Sequence, residues 1–325
     1  MKFIVTIDTE GDNQWDHGRK LTIENIKFVP RFQDLCERYG IKPTYLVTSE
    51  VCMDAYAKDI FTRYTEDDKA EIGAHLHSWT TPPFLDKQGY RENDTNHAFA
   101  SELPLSLLSR KIENLTGQIE STFGRRPTSF RSGRYGFNKN VARELIRNSY
   151  LVDSSVTPFV NWSAQKGAPD GTGGPDFIGS SPFPHKYEFS DGMITEIPIT
   201  ILPTRFPINK SLKLARYYFR NVNSNFALRA VRRIFFENQP VWLRPAPDMK
   251  LSLLTELLNE TNRRRLPFIT MMFHSSELMP GCSKYRPDIA SVEELYLLLE
   301  GFFDLLAERK IGSVTLTEAA KLSDK

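Results

Sequence analysis

Phe3-Ile4-Val5-Thr6-Ile7-Asp8-Thr9-Glu10-Gly11-Asp12 is an apolar run that ends in acids near the start of the chain. The apolar residues predict a strand over 2–8, and alternation along a strand places Asp8 and Glu10 on one face. Two carboxylates this close repel each other unless a cation or a shared proton lies between them. The pair suits a metal-assisted hydrolase, in which one acid binds the ion and the other handles protons. A surface turn whose acids solvate the strand end is the alternative.

Strand and helix patterns alternate along most of the chain. The predicted strands are 2–8, 43–47, 72–77, 129–131, 150–153, 241–243, 267–273 and 313–316, and the predicted helices are 23–39, one that ends near residue 63, 102–123, 138–147, 249–263 and 291–309. This order implies parallel strands joined by right-handed crossovers. We therefore expect a single α/β domain over 1–325, built as a barrel of seven or eight strands.

The middle of the chain departs from this alternation. Residues 157–192 hold many Gly and Pro and little periodicity, which predicts a long ordered loop. Residues 205–236 form a basic, aromatic helical stretch with eight Lys and Arg. Such a stretch suits contact with a membrane surface, and a helical hairpin that covers the barrel with its charges solvated is the alternative.

Composition narrows the class of protein. The chain has 325 residues and a net charge of +2, which gives no general argument for binding nucleic acid. Its three cysteines are far apart and form neither a zinc pattern nor a disulfide framework, which favours a reducing compartment. The N-terminus has no leader-peptide pattern and no run of about 18 apolar residues occurs. We therefore expect a cytoplasmic protein.

Two histidines end the strand predicted at 72–77, in Ala74-His75-Leu76-His77. In a parallel barrel, chemistry collects at the carboxyl ends of the strands, and the spacing of His75 and His77 places both on one face. Opposite a carboxylate, such a pair supplies two imidazoles and one oxygen. This set is usual for catalytic zinc, and iron, cobalt and nickel accept it too. Two loop histidines satisfied by backbone hydrogen bonds are the alternative.

Two further strand ends carry candidate catalytic residues. His274 follows the most apolar strand of the chain and is suited to protonating a leaving group, although a lone histidine there is often structural. Arg131 opens Arg131-Ser132-Gly133-Arg134-Tyr135-Gly136 and could orient Asp8 by a bidentate contact. The turn at Tyr135 could offer a backbone N–H to an oxyanion. A surface salt bridge is the alternative for Arg131.

These segments resemble the motifs of the polysaccharide deacetylase superfamily, also called NodB-homology proteins or carbohydrate esterase family 4. Thr6-Ile7-Asp8-Thr9-Glu10-Gly11 is similar to a variant of its first motif, Thr-Phe-Asp-Asp-Gly, with the second acid displaced by one residue. The resemblance gives Asp8 the role of base and Glu10 that of a metal ligand. Ile72-Gly73-Ala74-His75 resembles the second motif, whose second histidine falls at Trp79 here, and His77 is the nearest substitute.

The later motifs follow in the family's order. Residues 131–136 resemble the third motif, Arg-x-Pro-Tyr-Gly, with one extra residue and no proline, and Met271-Met272-Phe273-His274 resembles the fifth. For the fourth, a tryptophan segment at the acetyl pocket, Asp153 with Trp162 or Trp242 in residues 241–245 are the candidates. The substrate-binding residues predicted in this way are Tyr135, Trp79, Trp242, Arg244 and Glu277.

The resemblance implies a distorted (β/α) barrel of about seven parallel strands and a divergent subgroup linked to cell-wall and surface-polysaccharide synthesis. The implied activity is metal-dependent removal of an N-acetyl or O-acetyl group from a sugar. The expected metal ligands are Glu10, His75 and His77, and the expected catalytic residues are Asp8, Arg131 and His274. A small-molecule amide hydrolase and a metal-free glycan-binding protein on the same fold are the alternatives.

Overall fold

The computed structural model describes residues 1–12, 14, 21–84, 98–168, 171–237 and 239–323. Within them the strands are β1 (Lys2–Thr9), β2 (Thr44–Val47), β3 (Glu71–Leu76), β4 (Ser129–Ser132), β5 (Val152–Asp153), β6 (His185–Phe189), β7 (Gly192–Glu196), β8 (Ile201–Leu202), β9 (Val241–Trp242) and β10 (Phe268–His274). The helices are α1 (Val29–Arg38), α2 (Ser49–Cys52), α3 (Ala55–Glu66), α4 (Leu105–Phe123), α5 (Lys139–Arg147), α6 (Leu212–Asn221), α7 (Phe226–Phe235), α8 (Leu251–Arg263), α9 (Ile289–Glu308) and α10 (Leu316–Ser323).

Eight strands form one sheet in the order β10-β1-β2-β3-β4-β5-β7-β6. Seven of them run parallel, and β6 joins the edge as an antiparallel partner of β7. The β8–β9 pair continues beyond β10, because Thr200 N donates to Thr270 O at 3.1 Å and Met272 N donates to Leu243 O at 3.2 Å. The sheet therefore curls as a distorted barrel, which confirms the predicted fold class.

The strand register brings the candidate residues to one edge of the sheet. Asp8 lies opposite His274 in the β1–β10 pair, and His75 lies opposite Arg131 in the β3–β4 pair. All four strands run in the same direction, so their carboxyl ends meet at this edge. The expectation drawn from strand ends is confirmed here.

The apolar strands are buried because helices cover the outer face of the sheet. Phe3 of β1 is fully buried and meets Phe302 and Phe303 of α9 edge to face, with ring centroids 5.8 and 5.9 Å apart. Burying one such ring contributes about 2 kcal/mol. This packing holds β1, and with it the Asp8 end of the strand, at the centre of the fold.

Three predicted segments differ in the structure. The helix predicted at 23–39 begins as a 3-10 turn, Glu24–Phe28, and α1 starts at Val29. Pro30 fits the first turn of α1 because a backbone N–H is not needed there. The loop predicted at 157–192 is shorter, because its last residues form β6. The strand predicted at 313–316 is wrong: only Ser313 bridges to Phe3, and α10 begins at Leu316.

The basic stretch forms two helices that differ in burial. Ala215, Tyr218 and Phe219 of α6 are buried, whereas α7 buries no side chain. Among the described residues, no helix is both long enough and apolar enough to cross a membrane.

Candidate metal centre and catalytic site

Glu10, His75 and His77 form one buried group at the carboxyl ends of β1 and β3. Their potential ligand atoms all lie within 4.8 Å of one another. Glu10 Oε2 lies 3.2 Å from His77 Nε2 and 3.6 Å from His75 Nε2. The structure therefore brings together the carboxylate and the two imidazoles expected from the sequence, and His77 is near enough to serve in place of a histidine at position 79.

The other ring nitrogens of both histidines face oxygen acceptors. His75 Nδ1 lies 3.0 Å from the backbone oxygen of Arg131, and His77 Nδ1 lies 3.0 Å from Gln14 Oε1. The proton therefore sits on Nδ1 in each neutral ring, and the Nε2 lone pairs point towards Glu10. Both carboxylate oxygens of Glu10 are buried and have no hydrogen-bond partner among the described residues. A carboxylate oxygen and two imidazole lone pairs that point at one another are a suitable set of ligands for a divalent cation.

Neighbouring carboxylates also perturb the titration of His75. Burial lowers the pKa of His75, while Asp8 and Glu10 raise it, and the net result is a pKa above the ordinary value. The electrostatics at this point therefore favour a positive charge, which a proton or a metal ion supplies.

A polar layer that the sequence analysis missed lies behind His77. Gln14 Oε1 accepts from Trp79 Nε1 at 2.9 Å as well as from His77, and its amide nitrogen donates to the buried carboxylate of Glu50. The Trp79 ring stacks on His77 with centroids 4.3 Å apart. Trp79 is only 2% exposed, so this candidate substrate residue lies against a metal-ligand candidate instead of an open surface. Gln14 carried no sequence signal, since its partners Glu50, His77 and Trp79 lie 36, 63 and 65 positions away in the sequence.

Asp8 lies between Arg131 and two histidines. Arg131 Nη1 is 2.6 Å from Asp8 Oδ1, while Asp8 Oδ2 is 3.9 Å from His75 Nε2 and 4.0 Å from His274 Nε2. A bidentate contact between Arg131 and Asp8 was expected, but the structure shows a single one. The remaining donors are engaged elsewhere: Arg131 Nε donates to the backbone oxygen of Ser154, and Nη2 donates to its hydroxyl oxygen. The surface salt bridge considered for Arg131 is also wrong, since the side chain is fully buried.

The charge state of Asp8 follows from these neighbours. Burial raises the pKa of the Asp8 carboxyl, but Arg131, followed by His75 and His274, more than offsets this effect. The pKa therefore lies below its ordinary value, and Asp8 is ionised at neutral pH. A buried carboxylate fixed through one oxygen leaves its second oxygen to accept a proton.

His274 belongs to a second charged group. Glu277 Oε1 lies 3.2 Å from His274 Nδ1, accepts from His274 N at 3.2 Å and accepts from Arg244 Nη2 at 2.7 Å. Burial raises the pKa of Glu277, but Arg244 and His274 outweigh it and bring the pKa to about 2. Arg244 and Glu277, both predicted to bind substrate, therefore bind each other and hold His274 with Nε2 towards Asp8.

Three aromatic side chains meet beside this edge of the sheet. Tyr135 stacks on Trp162 with centroids 5.3 Å apart, and Trp242 lies 6.4 Å from Tyr135 and 6.2 Å from Trp162. The two tryptophans considered as alternatives for the fourth motif thus belong to one cluster. Trp162 comes from the loop after β5, so that loop reaches the turn that carries Tyr135.

Asp153, the other residue considered for the fourth motif, lies beside a buried acid of the neighbouring strand β7. It is in register with Glu196 of β7 and accepts from the backbone and hydroxyl of Ser155 at 2.9 and 2.8 Å. Both carboxyls are fully buried, and burial raises the pKa of each, so one proton shared between them is the favoured state. Asp153 therefore supports the loop after β5. His17, which follows the acidic end of β1 in the sequence and is a further candidate for the site, lies outside the described residues.

Gly133 gives His77 the space that it occupies. A Cβ atom on Gly133 would lie 2.2 Å from His77 Cδ2 and 2.7 Å from the backbone oxygen of Leu76. The turn continues with Arg134 and Tyr135 at φ of 49° and 60°, a left-handed backbone that is uncommon for residues with a side chain. The glycine is thus required by close approach, and the strained turn lies directly against the candidate metal centre.

Comparisons with known proteins agree with this architecture. No protein-family model and no curated protein matches the sequence. Among solved structures, the chain is similar to a Mycobacterium smegmatis protein assigned as a polysaccharide deacetylase, with a TM-score of 0.55 and 12% identity over 98% of this chain and 90% of that chain. It is also similar to the 4-alpha-glucanotransferase of Thermococcus litoralis, with a TM-score of 0.52 and 13% identity over 100% of this chain and 38% of that chain.

The fold is therefore that of the NodB-like polysaccharide deacetylases, as the motifs predict. At 12 to 13% identity these likenesses establish architecture, and a glucanotransferase shares it. Because one fold hosts different chemistries, the side chains of the site and not the fold determine the reaction.

Proposed function

We propose that the chain is a metal-dependent hydrolase that removes an acetyl group from a sugar of a surface or cell-wall glycan. One observation carries the proposal: Glu10, His75 and His77 converge within 4.8 Å, and within the part of the chain that the structure describes both buried oxygens of the Glu10 carboxylate lack a hydrogen-bond partner. The Asp8–Arg131 pair and His274 border the same group. Metal ligands, a general base and a general acid are the groups that metal-assisted hydrolysis of an amide or ester requires.

Glu10, His75 and His77 would hold the metal, for which zinc is the first candidate and cobalt, nickel and iron are alternatives. A bound divalent ion supplies Lewis-acid polarisation of the acyl carbonyl and lowers the pKa of water. The protein fixes the donors beforehand, because each histidine is held through Nδ1 by an oxygen acceptor.

Asp8 serves as the general base in this proposal. It is ionised because Arg131 and the two histidines lower its pKa, and Arg131 fixes one of its oxygens at 2.6 Å. The second oxygen faces both His75 and His274. Asp8 is thus placed to take a proton from the attacking water while Arg131 keeps the carboxylate oriented.

His274 serves as the general acid. Its Nδ1 is held by Glu277, whose charge Arg244 stabilises, and its Nε2 lies 4.0 Å from Asp8 Oδ2. The side chain is 13% exposed, whereas Asp8 and the three metal-ligand candidates are at most 3% exposed. It can therefore deliver a proton to the departing amine or alcohol at the solvent side.

A small-molecule amide is the second candidate substrate. Trp162 from the loop after β5 stacks on Tyr135, and the three metal-ligand candidates are at most 2% exposed. A covered site favours a small molecule or the end of a glycan over the interior of a polymer. Acetate release from N-acetylated monosaccharides, chito-oligosaccharides and simple acetamides separates these possibilities.

The matched pair Asp8→Asn and Glu10→Gln tests the proposed roles. Asp8→Asn should retain metal and lose activity by about 10²- to 10⁴-fold, whereas Glu10→Gln should lose both metal and activity. Metal analysis and acetate release are measured on each variant, with thermal unfolding as the control for folding. Full activity in Asp8→Asn would remove the central step of the mechanism.

A further inference from the structure

Helix α7 exposes nearly all of its surface. None of its ten residues is buried, although it carries large apolar side chains. Phe226 is 79% exposed, Ile234 is 72% exposed and Phe235 is 62% exposed. Exposed apolar side chains that lie together on one element mark an interaction surface rather than ordinary scatter.

The apolar and basic residues of α7 occupy different faces. Phe226, Ala230 and Ile234 follow an i, i+4, i+8 stripe, and a second stripe, Ala227, Val231 and Phe235, lies beside it. The basic residues, Arg229, Arg232 and Arg233, share the remaining arc of the helix. Phe226, Ile234 and Phe235 are each more than 60% exposed, so the side of the helix that carries them points away from the barrel, while Leu228 alone among the residues of α7 is half-buried against the core. This is the reverse of a helix that packs on a core.

The surrounding stretch has a strongly positive charge. Residues 205–236 contain eight Lys and Arg and no Asp or Glu, while the whole chain has a net charge of only +2. The rest of the chain is therefore net acidic, and the positive charge is concentrated on this hairpin. A surface of this kind is complementary to a dense array of anionic groups.

The segment that precedes α7 is anchored to the barrel. The backbone oxygen of Asn209 accepts from Arg263 at 2.7 Å and from Arg264 at 2.6 Å, and Arg216 donates to the Ser180 backbone oxygen at 3.3 Å. The buried face of α6 packs inward, and Tyr217 on its outer side is 65% exposed. Tyr218 of this anchored helix contacts Phe236 at the end of α7, with ring centroids 5.4 Å apart, while α7 itself buries no side chain.

We propose that α7 lies in the interface of an anionic lipid bilayer, with its phenylalanines and Ile234 among the acyl chains and its arginines at the headgroups. A peripheral helix of this type combines an apolar face with basic flanks, and its binding depends on anionic lipid. An acidic protein would pair with the arginines but would leave three large apolar side chains to be covered. The proposal is independent of the proposed hydrolase activity.

Vesicle co-sedimentation of the full chain tests this surface. Wild-type protein should bind vesicles of mixed phosphatidylcholine and phosphatidylserine, should bind phosphatidylcholine vesicles much less, and should be released by added salt. The triple variant R229Q/R232Q/R233Q should bind about 100-fold more weakly, since each cation near an anionic surface strengthens binding roughly fivefold. The double variant I234S/F235S should also lose binding while it keeps every charge.

A second triple variant, K58Q/R125Q/K139Q, removes three exposed cations elsewhere and should bind like wild type. All substituted residues are exposed, and circular dichroism confirms that each variant folds. Absence of wild-type binding to anionic vesicles at low salt, or binding that does not depend on anionic lipid, would overturn the proposal. So would concentration-dependent self-association that I234S/F235S abolishes, because a second copy would then cover this face.

Discussion

Replacing Gly133 by alanine probes the candidate metal centre through one added methyl group. The new Cβ would lie 2.2 Å from His77 Cδ2 and 2.7 Å from the Leu76 backbone oxygen. Since carbon atoms in contact lie about 3.5 Å apart, the imidazole must move by about 1.3 Å. The φ angle of Gly133 lies outside the left-handed region, so the substitution tests space and not backbone conformation.

The displacement should weaken metal binding far more than folding. Moving one ligand by more than 1 Å should reduce the affinity for Zn²⁺ by about 100-fold or more, which exceeds the usual effect of losing a supporting hydrogen bond. Overpacking should lower the free energy of unfolding by about 1–3 kcal/mol. Isothermal titration with Zn²⁺ after chelator treatment measures the affinity, and urea unfolding measures the stability.

Gly117→Ala is the matched control, because a Cβ at this helical position would lie within 4 Å of no atom of the described residues. It should bind Zn²⁺ like wild type and should be as stable or slightly more stable. Wild-type affinity in Gly133→Ala would refute the claim that His77 contributes to a metal centre in this position.

Three other substitutions test the surroundings of the site. Gln14→Leu removes the acceptor of His77 and should lower Zn²⁺ affinity by about 10- to 100-fold by calorimetry; unchanged affinity would exclude a supporting role. The pKa of Glu277 is lowered from 4.5 to about 2 in the folded protein. The ionised side chain therefore contributes about 3 kcal/mol to the free energy of unfolding above pH 4.5, and this contribution is lost as the pH falls towards 2. In urea unfolding, the free energy of unfolding of Glu277→Gln should vary less with pH over this range than that of the wild type. An equal pH dependence in the two proteins would contradict the low pKa of Glu277. The buried Lys111 Nζ donates to the backbone oxygens of Ser78, Thr81 and Pro83 in the loop after β3. Lys111→Met removes this donor and should lower the free energy of unfolding in urea by about 3 kcal/mol. A decrease below about 0.5 kcal/mol would show that the loop does not depend on Lys111.

The positions of the candidate residues at strand ends were predictable because each strand shows the same sequence pattern. An apolar run that ends in a polar residue places that residue at the edge of a parallel sheet, and Asp8, His75, Arg131 and His274 all follow this rule. What periodicity does not provide is the supporting layer. Gln14 lies in a polar loop, and its contacts to His77 and Trp79 exist only once the chain has folded.

Two errors in secondary structure have local causes. Strand β6 alternates half-buried and exposed residues at the sheet edge, so its apolar signal is weaker than that of the central strands. At the C-terminus, Thr315-Leu316-Thr317-Glu318 is a capping box: Thr315 N donates to Glu318 Oε2 at 2.9 Å and Glu318 N donates to Thr315 Oγ1 at 3.3 Å. This signal of a helix start was present in the sequence, and the apolar run before it was wrongly taken as a strand.

Metal content is the most direct test of the central claim that Glu10, His75 and His77 form a metal centre. The wild-type protein, purified without chelator, is compared with His75→Ala and His77→Ala by elemental analysis. The account predicts one equivalent of a divalent metal in the wild type and its loss in both variants. A wild type that holds no metal even after addition of zinc or cobalt, or a His77→Ala protein that keeps its full equivalent, would contradict it.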